Sequence, residues 1–158
     1  MVVVVSLILG ALFLAEMLSN YTPAKASMVL VVLFWVPLLV LHELAHALAA
    51  RWVGWSVQEM VIGFGKELWR FRIGQTLVRI KLLPLEGYVL PNPTTIRDAR
   101  LKQAFIYLAG PGIELLLVGV LWALEGDQLL THTADYGVIA VQSLALAALL
   151  GAGFNLLP

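Results

Sequence analysis

The chain has 158 residues, of which 61% are hydrophobic and 13% charged, with a formal net charge of zero and a mean hydropathy of +0.91. This composition excludes an ordinary water-soluble domain, and several apolar runs approach or exceed the roughly 20 residues that cross a bilayer as a helix. Zero net charge provides no global field that would attract nucleic acid. The absence of cysteine excludes disulfides and thiolate metal sites. We therefore predict a mainly α-helical integral membrane protein, with residues 1–158 forming a single domain.

The first apolar run, Met1 to Leu18, is predicted to be a transmembrane helix. The alternative is a cleaved signal within residues 1–26, because Ala24 and Ala26 precede Ser27 as small residues do at a cleavage site. The run lacks the basic segment with which a signal peptide begins, and this favours the helix.

Three further transmembrane helices are predicted, which makes about four in all. A short polar loop over residues 19–27 precedes the second of them. The predicted spans are Met28 to about Ala50, Leu101 to Leu124, and Tyr136 to Pro158.

The segment between the second and third spans has a different character. Nine of the ten basic residues lie between positions 51 and 102, where no stretch is long enough to cross a membrane as a helix. Residues 67–73 and 76–83 are rich in β-forming side chains and are separated by a two-residue turn, which predicts a hairpin. Residues 88–90 are predicted to add a short strand. We expect a membrane-associated β-region over about residues 60–90.

The distribution of basic residues predicts the orientation in the membrane. Cytoplasmic loops collect Lys and Arg, so the N-terminus and residues 51–102 should face the cytoplasm and the acidic loop 125–135 should face outward. His42, His46 and Asn155 then fall at similar membrane depth, as a shared site requires. Three tryptophans are predicted to be interfacial anchors: Trp52, Trp55 and Trp69.

The second span contains the sequence His42-Glu43-Leu44-Ala45-His46. In a helix, His42 and His46 share one face, and in this pattern two imidazoles hold zinc while the carboxylate acts on a metal-bound water. Isolated polar residues in membranes more often form interhelical hydrogen bonds, but three ionisable groups within five positions favour a metal site. We therefore predict a Zn²⁺ site with His42 and His46 as ligands and Glu43 as general base.

Two histidines do not complete a catalytic zinc site, which normally has three protein ligands and one open position. The remaining histidine, His132, lies in the loop predicted to face outward. Glu16 and Glu114 are the other carboxylates within apolar runs, and the sequence does not place either beside His46. A third ligand is therefore not predicted from these residues.

Other short motifs accompany the histidine motif in a defined order. With them, the chain resembles the site-2 protease family of intramembrane zinc metalloproteases. The motifs are Gly63-Phe64-Gly65, Pro84-Leu85-Glu86-Gly87-Tyr88-Val89, Ala109-Gly110-Pro111 and Asn155-Leu156-Leu157-Pro158.

The resemblance implies a core of three transmembrane helices and a β-region that positions an extended substrate by strand addition. It further implies that His42 and His46 bind zinc, that Glu43 is the catalytic glutamate and that Asn155 lies at the active site. The implied substrates are transmembrane segments of other membrane proteins.

The sequence departs from the family pattern at three points. The third zinc ligand of the family is an aspartate shortly after the Asn-x-x-Pro motif, and the sequence ends at Pro158, so we expect it to be truncated there. Glu86 and Glu114 stand where the family usually has glycine and asparagine.

From these features we predict an intramembrane zinc metalloendopeptidase in a bacterial inner membrane. Its partners would be the lipid bilayer and membrane-protein substrates, without nucleic acid. The departures leave one alternative open, a non-catalytic relative with a structural or assembly role among other membrane subunits.

Overall fold

The computed structural model describes residues 2–19, 22–95 and 97–157, so Met1 and the predicted motif residue Pro158 lie outside it. The described chain is mainly helical and contains one antiparallel two-stranded sheet between its second and third helices, as predicted. The elements are α1 (Val2–Ser19), α2 (Pro23–Trp52), β1 (Ser56–Ile73), β2 (Thr76–Asn92), α3 (Ala99–Glu125), a short 3-10 helix (Gly126–Leu129) and α4 (Tyr136–Leu156).

Within the described residues, three segments are long and apolar enough to cross a membrane, by length and composition: Lys25–Trp52, Ala99–Leu129 and Tyr136–Leu156. They contain α2, α3 and α4 and coincide with the second, third and fourth predicted spans. Helix α1 corresponds to the first predicted span but is not among the three, so a fourth crossing remains a prediction.

Helix α2 begins earlier than the sequence predicted. Residues 23–27, expected in a polar loop, form its first turns. Pro23 occupies the start of the helix, where its fixed φ fits and its missing N–H is not needed. Lys25 is accommodated by an ion pair, because its Nζ lies 2.6 Å from Glu16 Oε1. The prediction of a loop was therefore wrong for these five residues.

The sheet is more extensive than the predicted hairpin. Strand β1 begins at Ser56, and the segment expected to form a separate strand at residues 88–90 belongs to β2. Both strands bend, so that Met60 of β1 is paired with both Val78 and Val89 of β2. Two glycines with positive φ, Gly63 and Gly65, lie where the register of β1 shifts. The bends bring the second half of β2 back towards α2.

Helices α2, α3 and α4 pack against one another, and both strands contact α2. Small side chains permit the close approach of α2 and α4, since Leu38 packs against Ala147 and Ala148. A second cluster joins the sheet to α2 through Met60, Ile62 and Val78.

Trp55 does not occupy the exposed interfacial position that the sequence predicted. It is only 4% exposed, whereas Trp52 is 84% exposed. Gly54, with a φ of 84°, turns the chain after α2, and Trp55 then packs between the end of α2, the start of β1 and α3. The prediction of an anchor was wrong for Trp55, because the turn directs it into the core.

Candidate active site

His42 and His46 lie one turn apart on α2, with ring centroids separated by 4.7 Å. In each ring, Nδ1 faces an acceptor on α3. His46 Nδ1 is hydrogen-bonded to the carbonyl oxygen of Ile106 at 2.6 Å, and His42 Nδ1 lies 3.0 Å from Glu114 Oε2. A neutral imidazole whose Nδ1 donates a hydrogen bond has an unprotonated Nε2, the form in which it binds a metal.

The two Nε2 atoms face one small space beside Gly110 of α3. A Cβ atom at Gly110 would contact Nε2 of both His42 and His46, so any side chain there would occupy the space between them. The glycine of the Ala-Gly-Pro motif therefore makes room at the point towards which both rings converge. Two imidazole nitrogens converging on one point fit part of a zinc site.

Glu43 lies beside this space and is buried. Its Oε2 has no hydrogen-bond partner in the described chain, which is unusual for a buried carboxylate oxygen. A Cβ at Gly87 of β2 would lie 2.7 Å from Glu43 Oε1, so this glycine also makes room for an ionisable side chain. The returning half of β2 thus forms one wall around Glu43.

Two cavities, of about 320 and 160 Å³, surround these groups. Both are lined by His42, Glu43, Gly87 and Asn155. Trp35 and Glu114 line the larger one, and His46 with residues 87–89 of β2 lines the smaller one. The structure therefore brings together all four site residues predicted from the sequence, from α2 and α4.

Asn155 lies near the end of α4, and its Nδ2 donates a hydrogen bond to the carbonyl oxygen of Gly151 at 2.9 Å. This bond to the preceding turn holds the amide at the rim of both cavities. The side chain of Asn155 makes no other hydrogen bond to the described residues.

A complete metal cage is absent from the part of the chain that the structure describes, where no group of three or more His, Cys, Asp or Glu side chains could hold an ion. His132 is exposed beyond the 3-10 helix and lines neither cavity. Glu16 is paired with Lys25. Glu114 lies at the site, but it approaches Nδ1 of His42 and not the Nε2 atoms. The described residues thus supply two candidate ligands.

The sequence pattern of peptidase family M50 matches residues 28–148, a segment that contains the histidine motif, the sheet and α3. The chain belongs to peptidase family M50. The resemblance to site-2 proteases inferred from the motifs is confirmed.

Curated relatives of this M50 chain are named as zinc metalloproteases. A candidate zinc metalloprotease of Campylobacter jejuni, Cj1068, is 34% identical over 160 aligned positions, and the alignment covers 92% of this chain and 41% of the relative. Zinc metalloprotease Rip1 of Mycobacterium tuberculosis is 32% identical over 108 residues, covering 58% of this chain and 27% of Rip1. This chain therefore spans less than half the length of these relatives.

The sequence predicted the ionisable residues of the candidate site but not the glycines that make room for them. Gly87 and Gly110 enter the sequence prediction only as letters of the motifs, and Gly151 of α4 is not part of it. A Cβ at Gly151 would lie 2.6 Å from Glu114 Oε1. The available signal was the presence of glycine in apolar helices, since small residues there mark close contacts.

Proposed function

We propose that this chain is the metal-binding part of an intramembrane zinc metalloprotease, which hydrolyses peptide bonds in transmembrane segments of membrane proteins. The observation that carries the proposal is the convergence of His42 Nε2 and His46 Nε2 on the space beside Gly110, with Glu43 lining both cavities that His42 lines. The names of the M50 relatives support both zinc and proteolysis.

Each site residue has a defined task in this proposal. His42 and His46 hold Zn²⁺ through Nε2, and a further ligand would come from outside the described residues. When bound, zinc supplies a Lewis acid that polarises the peptide carbonyl and makes water more acidic. Glu43 accepts the proton of the attacking water and delivers it to the leaving amine nitrogen. The buried Glu43 Oε2, without a hydrogen-bond partner among the described groups, is available for that proton.

The substrate would bind between β2 and Asn155. Residues 87–89 of β2 line the smaller cavity together with His46, so an extended peptide pairing with this part of the strand would pass the metal site. Asn155 lines both cavities and would contact the substrate backbone there. A helical substrate would have to unwind locally to expose the bond.

The proposed location is a bacterial inner membrane, with residues 51–102 and the N-terminus in the cytoplasm. The three apolar segments support a location in a membrane, as do large apolar side chains that remain exposed along them. Water-soluble proteins rarely expose apolar surface so extensively, and lipid would cover it here. Examples are Val32, Leu33, Leu48, Leu108 and Leu116.

A second candidate function is a non-catalytic subunit of a membrane complex. One observation favours it: Glu114 stands where the family resemblance implies asparagine. Such a protein would not need the carboxylate of Glu43.

The test is Glu43→Gln in the full-length protein, reconstituted with a membrane-anchored substrate. We expect cleavage to fall by roughly 10²–10⁴-fold, the usual contribution of a general base, while zinc content measured by mass spectrometry is unchanged. Glu125→Gln is the control, because it removes a carboxylate at the C-terminal end of α3, and this variant should cleave the substrate normally. Full activity of Glu43→Gln would overturn the assignment, and a wild-type protein that assembles with partners but cleaves none of their spans would favour the subunit.

A further inference from the structure

We propose that Glu114 is a positioning residue that orients His42 for metal binding, so that α3 fixes the geometry of ligands carried by α2. This inference rests on the proposed function. Glu114 is the residue at which the chain departs from the asparagine of the family pattern, and the structure brings it within 3.0 Å of His42 Nδ1.

The contact between Glu114 and His42 is enclosed by protein. Both side chains are almost fully buried. Neither His42 Nδ1 nor Glu114 Oε2 has a hydrogen bond of regular geometry in the described chain. A buried carboxylate without a polar neighbour is unfavourable. The approach of Glu114 Oε2 to His42 Nδ1 at 3.0 Å offsets part of that cost.

This arrangement has a defined consequence for metal binding. A carboxylate oxygen 3.0 Å from Nδ1 favours the proton on that nitrogen, restricts the ring plane and leaves the lone pair of Nε2 free. For His46, the hydrogen bond between Nδ1 and the backbone carbonyl oxygen of Ile106 has this effect. Both outer partners belong to α3, which also contributes Gly110, the residue beside both Nε2 atoms. The ligands therefore come from α2 and their orientation from α3.

Helix α4 completes the arrangement through Gly151. A Cβ at Gly151 would lie 2.6 Å from Glu114 Oε1, so the glycine creates the slot in which the carboxylate sits. Substituting Gly151 should displace the Glu114 carboxylate from His42 without removing it. By contrast, a Cβ at Gly153, two residues further along α4, would meet no atom of the described chain within 4 Å.

The experiment compares two variants of similar size, Glu114→Gln and Glu114→Leu, in the purified full-length protein. Zinc affinity is measured by chelator competition, and the ligand field by the absorption spectrum of the Co²⁺-substituted protein. Leucine fills the space but offers no acceptor, so Glu114→Leu should weaken zinc affinity by roughly 10–100-fold, the usual effect of losing an outer partner. Glu114→Gln retains an acceptor oxygen and should lose less. Glu125→Gln and Glu125→Leu are the matched controls.

A packing role for Glu114 predicts a different pattern. Unchanged zinc affinity and an unchanged Co²⁺ spectrum in Glu114→Leu would overturn the proposal, as would equal losses in the leucine and glutamine variants. If Glu114→Leu does not fold, Gly151→Ala replaces it, with Gly153→Ala as control. Gly151→Ala should weaken zinc affinity and shift the Co²⁺ spectrum, and wild-type behaviour of that variant would also overturn the proposal.

The variants at Glu114 and Gly151 test the positioning role, and Glu43→Gln tests the proteolytic function, so the two proposals can fail independently. If Glu43→Gln abolishes cleavage while the Glu114 and Gly151 variants bind zinc like the wild type, the proteolytic function stands and the positioning role fails. If the wild-type protein binds no zinc, both proposals fail.

Discussion

The helical region and the sheet each contain close contacts between a carboxylate and a nitrogen base, but the surroundings differ. His42 and Glu114 approach to 3.0 Å with side-chain exposures of 4% and 3%. Arg70 and Glu67 of β1 approach to 2.8 Å with exposures of 57% and 30%. Water and salt screen the pair on the sheet, so its contribution is small. The buried pair lacks that screening, and removing one partner leaves the other uncompensated.

The glycines differ by whether they border the candidate site, and Gly87 of the sheet groups with Gly110 and Gly151 of the helices. Gly87, Gly110 and Gly151 each lie against an ionisable side chain of the candidate site, where a Cβ would collide with it. Gly65 and Gly74 of the sheet have open space where a Cβ would be, and their role is to permit a bend or a turn. Substitutions in the first group should impair zinc binding or cleavage, whereas those in the second group should strain the backbone at a bend or a turn.

The largest effect is expected from Gly110→Ala. The added methyl group would occupy the space between His42 Nε2 and His46 Nε2, so zinc content measured by mass spectrometry should fall to background. Gly112→Ala on the same helix is the control, because a Cβ there meets no described atom within 4 Å. Normal zinc content in Gly110→Ala would contradict the proposed position of the metal.

Gly87→Ala should give an intermediate effect of a different kind. A Cβ would lie 2.7 Å from Glu43 Oε1 and 2.8 Å from the carbonyl oxygen of Val61, so the carboxylate would be displaced. We expect cleavage to fall by roughly 10²–10⁴-fold, as for loss of the general base, while zinc remains bound. Parallel measurement of zinc content and cleavage distinguishes this result from Gly110→Ala, and equal loss of both would contradict the separate tasks assigned to the two glycines.

The smallest effect is expected at the Arg70–Glu67 ion pair of β1. The hydrogen bond from Arg70 lowers the pKa of Glu67, with additional contributions from the charges of Arg70, Arg79 and Lys81. A lowered folded-state pKa stabilises the fold above the unfolded pKa, and this stabilisation is lost as the pH falls through the folded pKa. Arg70→Gln should raise the pKa of Glu67 towards its ordinary value, as measured by carboxyl ¹³C NMR.

Because Arg70 is exposed and Glu67 is partly exposed, Arg70→Gln should leave zinc content and cleavage unchanged. Arg72→Gln, which removes a neighbouring charge outside this pair, should leave the pKa of Glu67 near its wild-type value. A loss of zinc in Arg70→Gln would remove the distinction between the two regions.

Local sequence patterns were sufficient for much of the fold. Apolar runs identified α2, α3 and α4, because a helix that crosses a bilayer must be apolar over its own length. The alternating segment around residues 67–83 identified the hairpin. The same patterns failed at residues 23–27, where an ion pair with Glu16 and the fixed φ of Pro23 allow helix to form in a polar stretch.

For the candidate site, the sequence by itself determined that His42 and His46 share one face, because residues four apart in a helix are neighbours whatever surrounds them. It also indicated membership of the M50 family through the order of its motifs. Only the tertiary structure decided that Glu114 faces His42, that Gly110 opens the space between the imidazoles, and that Trp55 is buried. These contacts join residues from different elements, and their distances depend on how the helices pack rather than on any spacing along the chain.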